Sequence, residues 1–289
     1  MTVFALKLIA LASMIVDHTG YFLGSNALVS GDVYTLLRAV GRIAFPVYAF
    51  LLVNGFQKTS DRRRYLSRLM LFAVLSQIPF TLVFASENYR SVVPSVFGLS
   101  FGFELLPYLI FILLTLAAYI LLVKADISAL YLALFLLVGG VRLQLFGYWF
   151  LDGSLNIFYT LSFSLAAMAL LDDIVYSGKP LIKTLVPALF FTLALVLLVP
   201  NSDYGYKGFA LLMALYLCRP WRGAQLAVIA LWCYMEYWSP GSPQVFLLSL
   251  LSLPPILLYN GKKGPSMKLA FYAVYPLHLL ALGVINMLI

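Results

Sequence analysis

The chain has 289 residues, of which 63% are hydrophobic and only 10% charged, and its mean hydropathy is +0.97. A water-soluble protein of this length carries charge on about a quarter of its residues, so a fully solvated surface is excluded and a polytopic membrane protein is expected. The 19 basic and 11 acidic residues leave a net charge of +8. They fall in gaps between apolar runs and make no continuous phosphate-tracking face, which excludes nucleic acid as the expected partner.

A bilayer-crossing helix needs about 20 mostly apolar residues, and Gly, Pro, Asn, Asp and basic clusters divide the sequence into runs of that kind. In chain order they are Val3–Leu23, Val33–Phe56, Tyr65–Phe84, Glu104–Val123, Ile127–Gly147, Asn156–Leu171, Leu181–Val199, Tyr204–Cys218, Ala224–Trp238, Val245–Tyr259 and Met267–Ile289. The expected fold is therefore all-α, a polytopic integral membrane helical bundle of about 11 transmembrane helices (10–11, because several runs are short). It is read as one transmembrane domain over residues 1–289. Ser86–Phe103 is the longest expected outer loop and a candidate lid.

Lys and Arg near span ends are retained on the cytoplasmic side. Alternate threading from a cytoplasmic N-terminus puts fourteen of the nineteen basic residues inside, including Lys7, Lys58, Arg62, Arg219, Arg222, Lys262 and Lys263. An odd number of spans with the C-terminus outside follows. The first run is expected to stay as a span rather than be cleaved as a signal peptide. Cys218 and Cys233 lie within or at the edge of apolar runs, with no spacing suited to disulfides or metal.

An ionisable group inside a span is costly unless it is paired or wet, which makes each one a site candidate. Both histidines of the chain, His18 and His278, lie inside expected spans, and imidazole is the side chain suited to proton transfer near neutral pH. Asp17 and His18 are neighbours on one helix and point about 100° apart, so they must address different partners. Asp17 is the natural counter-ion for an arginine on another helix.

In Arg38-Ala-Val-Gly-Arg42-Ile-Ala-Phe-Pro46 two guanidiniums share a helix face, and Pro46 cannot donate to the carbonyl of Arg42, so the helix opens there. Arg42 is the leading electrostatic residue, and Arg38 either joins it or snorkels to the interface. In the last run, Tyr272, Tyr275 and His278 share a face, and Pro276 frees the carbonyl of Tyr272.

Asn156, Thr160 and Ser164 form a polar stripe that suits either interhelical bonding or a substrate surface. Lys207, following Tyr204-Gly-Tyr206, suits either interfacial anchoring or ligand contact. With Arg42, Asn156 and Lys207 are the expected ligand-binding residues. No Walker loop, dinucleotide fingerprint, His-Glu-x-x-His or Gly-x-Ser-x-Gly elbow occurs, and two distant histidines without a cysteine cluster make no metal site.

Several stretches carry a family resemblance: Leu6–Ala10 running to Met14-Ile15-Val16-Asp17-His18-Thr19-Gly20, Gly41–Pro46 with Asn54-Gly55-Phe56, and Ser76–Phe80. Asn156–Leu161, Asp203-Tyr204-Gly205, Tyr259-Asn260-Gly261 and Phe271-Tyr272 to Tyr275-Pro276-Leu277-His278-Leu279 continue it in order. The sequence resembles the TraX family, membrane proteins associated with N-terminal acetylation of conjugative pilin and similar to larger transmembrane acyltransferases. The resemblance implies a protein of the bacterial inner membrane that uses acetyl-CoA as co-substrate. Its acceptor would be a pilin N-terminus or another peptide or small molecule, with a polar core of Asp17, His18, Arg42 and His278.

Acyl transfer to a terminal amine needs a modest base and a partner for the oxyanion. His278 oriented by Tyr275 fits the base and Arg42 the oxyanion or phosphopantetheine contact, while His18 is the alternative base or an acyl carrier. A permease or transporter, with the proline-broken spans lining a path, and a pilus-assembly scaffold are the other readings.

Overall fold

The structure is a computed structural model, and it describes residues 1–84, 155–176 and 202–289. The expected runs Glu104–Val123, Ile127–Gly147 and Leu181–Val199, and the Ser86–Phe103 loop, lie outside the described residues. Within them the regular structure is helical, with one isolated parallel bridge between Leu155 and Ser202. The chain packs as two compact units, one of Met1–Lys58 with Ala210–Ile289 and one of Thr59–Phe209.

In the first unit, α1 runs Val3–Ser25, started by the Thr2 hydroxyl, which accepts from the Ala5 amide. Its 23 residues rise about 34 Å, enough for a bilayer core. The Val33–Phe56 run, expected as one opened helix, is two: α2 over Gly31–Gly41 and α3 over Ala44–Lys58. Pro46 supplies no amide hydrogen for the Arg42 carbonyl, and the chain tightens there, with Arg42 N–H donating to Ala39 O and Ile43 N–H to Val40 O. Among the described residues, α1 and the continuous Gly31–Lys58 segment are the two stretches long and apolar enough to cross a membrane.

Later in the chain come α4 over Arg62–Phe84, α5 over Ile157–Tyr176, α6 over Gly205–Leu217 and α7 over Arg222–Tyr237. The Val245–Tyr259 run is also broken. Its two consecutive prolines, Pro254 and Pro255, remove successive amide donors, leaving α8 over Pro243–Ser249, a short tight turn, and α9 over Leu253–Leu257. The final helix, α10, runs Lys268–Leu288 and contains Pro276.

Within the first unit α1 and α10 lie side by side and point the same way. Phe4 meets Phe271, His18 meets His278 and Asn26 donates to Asn286, each pair rising together along both helices. The lower ends are tied by backbone bonds from Val3 to Lys262 and from Phe4 to Lys263. Gly264, at φ +71°, lies so close to Thr2 that a Cβ there would sit 2.8 Å from its hydroxyl. Lys58, at the end of α3, donates to the Tyr259 hydroxyl and the Gly261 carbonyl, and Arg222, at the start of α7, donates to the Tyr259 carbonyl. Lys58, Arg222, Lys262 and Lys263 thus gather at the end where α1, α7 and α10 begin and α3 and α9 finish.

In the second unit α4 and α5 pack antiparallel. Asn156, next to the start of α5, donates to the Ala73 carbonyl and Gln77 of α4, while Arg62 at the head of α4 pairs with Asp172 near the end of α5 at 2.6 Å.

Candidate active site

The candidate site is built on α1, where Asp17 and His18 stand in the middle of an apolar helix, each 8% exposed. Successive residues on a helix face different neighbours, and each of these two finds its own. Asp17 turns to α2 and the break beyond it. One carboxylate oxygen receives Arg38 at 2.8 Å and the other receives Arg42 at 3.1 Å. Arg38 is therefore an ion-pair residue of this site rather than one that snorkels away. Each guanidinium also lies over a ring, Arg38 over Tyr21 and Arg42 over Tyr237, which suits a planar, weakly hydrated cation.

Two residues that sequence reasoning left aside hold this geometry. Ser13, one turn below Asp17 on α1, donates to the Val40 carbonyl at 2.7 Å and reaches that of Gly41 at 3.2 Å. It thereby engages two carbonyls at the end of α2. Gly41 lies against Asp17, and a Cβ there would fall 2.2 Å from the Cβ of Asp17. The signal was present in the spacing, because Ser13 and Asp17 share a face. What faces them across the interface is not written in α1.

His18 turns to α10. Its Nδ1 lies 2.7 Å from Nε2 of His278, with ring centroids 5.0 Å apart and planes inclined by 5°. Facing planes in a stack stand further apart than 2.7 Å, so the rings meet edge to edge through a hydrogen bond. The Nδ1 of His278 is 2.7 Å from the Val274 carbonyl, one turn back on its own helix. Tyr275 is buried, and its ring stands nearly perpendicular to both imidazoles, 5.9 Å from His18 and 5.7 Å from His278. The bond fixing His278 thus comes from the Val274 backbone, where the sequence reading looked to Tyr275.

The structure brings Asp17, His18, Arg42, Tyr275 and His278 together within the first unit. Asn156 and Lys207 belong to the second. There Asn156 is fully buried and serves the start of α5, its side chain accepting from the Phe158 amide while its own amide groups meet Gln77 and Ala73. Of the polar stripe, Thr160 donates to the Asp203 carbonyl, in the turn before α6, and Ser164 to the carbonyl of Thr160 within α5, so these side chains serve structural bonding. Lys207 is exposed near the start of α6. Among the described residues no group of three or more His, Cys, Asp or Glu is arranged to hold a metal ion.

The family model for TraX protein matches residues 3–102 and 107–286, nearly the whole chain. The chain is also similar to the "Probable fimbrial assembly protein FimC, serogroup H1" of Dichelobacter nodosus, 34% identical over 88 residues that make up 30% of this chain. That stretch covers 35% of the relative's own length. No solved structure matches. With Asp17, His18, Arg42 and His278 all inside the matched segments, the chain belongs to the TraX family.

Proposed function

We propose that this protein is an integral-membrane acyltransferase that moves an acetyl group from acetyl-CoA to an acceptor amine, the N-terminus of a pilin or of another membrane peptide. The observation that carries this reading is the meeting of the chain's two histidines, His18 and His278, beside two arginines that share one carboxylate. A terminal amine has a pKa near 8, so an imidazole is a sufficient base. The amine lone pair attacks the thioester carbonyl, the carbon–nitrogen bond forms, and the imidazole pair takes the amine proton. The carbon–sulfur bond then breaks, and the departing thiolate receives that proton. Two guanidiniums against one carboxylate leave a single positive charge, the complement of an oxyanion.

The membrane setting is read from the composition, the two long apolar segments and the parallel course of α1 and α10. If both helices cross the bilayer in one direction, an odd number of crossings lies between them and the total is odd. That agrees with an odd total near 11, a cytoplasmic N-terminus and an outside C-terminus, in the bacterial inner membrane. The gathering of Lys58, Arg222, Lys262 and Lys263 at one end of the first unit is the charge asymmetry that a cytoplasmic face requires. The relative's name supports a place in pilus assembly.

The test is purified protein in lipid with labelled acetyl-CoA and a peptide carrying a free N-terminus. Turnover is expected, and His18→Ala should lower kcat by about 10²-fold or more. Undiminished turnover in His18→Ala and in His278→Ala would sink the assignment. The relative's name also favours a second reading, an assembly scaffold without chemistry. In that case both variants assemble pili normally and no acetyl transfer is found.

A further inference from the structure

The two imidazoles stand in one hydrogen-bonded line, and the line has a direction. A carbonyl oxygen only accepts, so the Nδ1 of His278 that faces the Val274 carbonyl at 2.7 Å carries its hydrogen. In the uncharged ring the other nitrogen, Nε2, then holds a lone pair and accepts. Its partner is Nδ1 of His18 at 2.7 Å, which must donate, and this leaves the lone pair of His18 on Nε2. We infer that the Val274 carbonyl, through His278, sets the tautomer of His18, so that His18 is the base, acting through Nε2, and His278 is a positioning residue.

The backbone makes this arrangement local to α10. The Val274 carbonyl would ordinarily receive the amide hydrogen of residue 278, and the imidazole of that same residue reaches back to it. Pro276 sits between them and supplies no amide hydrogen toward the neighbouring Tyr272 carbonyl. The parallel course of α1 and α10 then brings the lone pair of His278 to the right height on α1. The buried ring of Tyr275 stands edge-on against both imidazoles and limits their rotation.

When His18 takes a proton on Nε2, its Nδ1 hydrogen can shift to Nε2 of His278, which still donates from Nδ1 to Val274. The charge is then spread over two rings ending at a carbonyl dipole. No atom or electron beyond the amine's proton is required.

The role assignment rests on the acyltransfer reading, whereas the tautomers do not, and the experiment separates the two. The chain has two histidines, so isotope-labelled histidine in the full protein in lipid gives two imidazole nitrogen patterns, assigned by the loss of one in His278→Gln. The expected spectrum shows hydrogen on Nδ1 in both rings, with coupling between Nδ1 of His18 and Nε2 of His278. Hydrogen on Nε2 of His278, or absence of the coupling, overturns the inference even if acetyl transfer is robust.

In the kinetic arm, His278→Gln keeps an oxygen that accepts from His18. It should retain at least about tenfold more kcat than His278→Ala, with KM little changed, while His18→Gln loses turnover. A reversed order, His18→Gln active and His278→Gln inactive, overturns the roles and leaves acyl transfer standing.

Discussion

At the scale of single residues, Asp17 carries more of the site than its charge count suggests. It lies between Arg38 and Arg42, and side-chain exposures of 23%, 16% and 12% for Arg38, Arg42 and Asp17 leave little water to take its place. Removing one member of a buried ionic set leaves the rest uncompensated at a cost of about 3–5 kcal/mol. Asp17→Asn is therefore expected to lower the thermal midpoint in detergent clearly. Asp17→Glu should recover most of the stability, because the longer arm still offers both oxygens. The sequence made the division of labour between Asp17 and His18 legible through the angle between adjacent helical positions. It left open which arginine Asp17 takes, and the structure gives it both.

At the scale of helices, the decisive feature is how closely α1 and α2 approach. Gly20 and Gly24 of α1 leave room for Leu37 and Tyr34, and Gly41 leaves room for Asp17. Small residues permit such contact in an apolar bundle, where packing rather than water drives association. Gly41→Ala is expected to push α2 off α1, at about 1–3 kcal/mol for an overpacked contact. It should also weaken the proposed acetyl transfer, by moving Arg42 away from Asp17. A variant with unchanged midpoint and unchanged turnover would show that the interface yields without consequence.

Helix positions were readable from apolar runs. Val3–Leu23 is α1 to within its last turn, and Ala224–Trp238 is nearly α7. Where two runs broke, Pro46 had marked the first place, while Pro254 and Pro255 were read as part of one unbroken run; in neither case did the sequence tell a bent helix from two helices. That depends on whether tight turns and Ser13 can satisfy the carbonyls exposed at the end of α2.

At the scale of the whole molecule, the first unit makes a prediction about sidedness. The helices α1, α7 and α10 run away from the basic end, and α2 with α3 and α8 with α9 run back toward it. Single cysteines in a background lacking Cys218 and Cys233 should therefore report opposite faces. A cysteine at Lys263 should be blocked by a membrane-impermeant reagent only from the cytoplasmic side, and one at Ser30 only from the outside. Equal labelling of both from one side would contradict the reading of α1 as a span.

Composition and hydropathy by themselves determined that the chain is helical and apolar enough for a membrane, because burying backbone groups in lipid leaves helices as the economical solution. The same sequence singled out its few ionisable residues, since each is expensive there. Only the tertiary structure decided that His18 and His278, 260 positions apart, form one hydrogen-bonded pair. That contact depends on two helices lying parallel at matched height, a relation between elements that no periodicity within either one encodes.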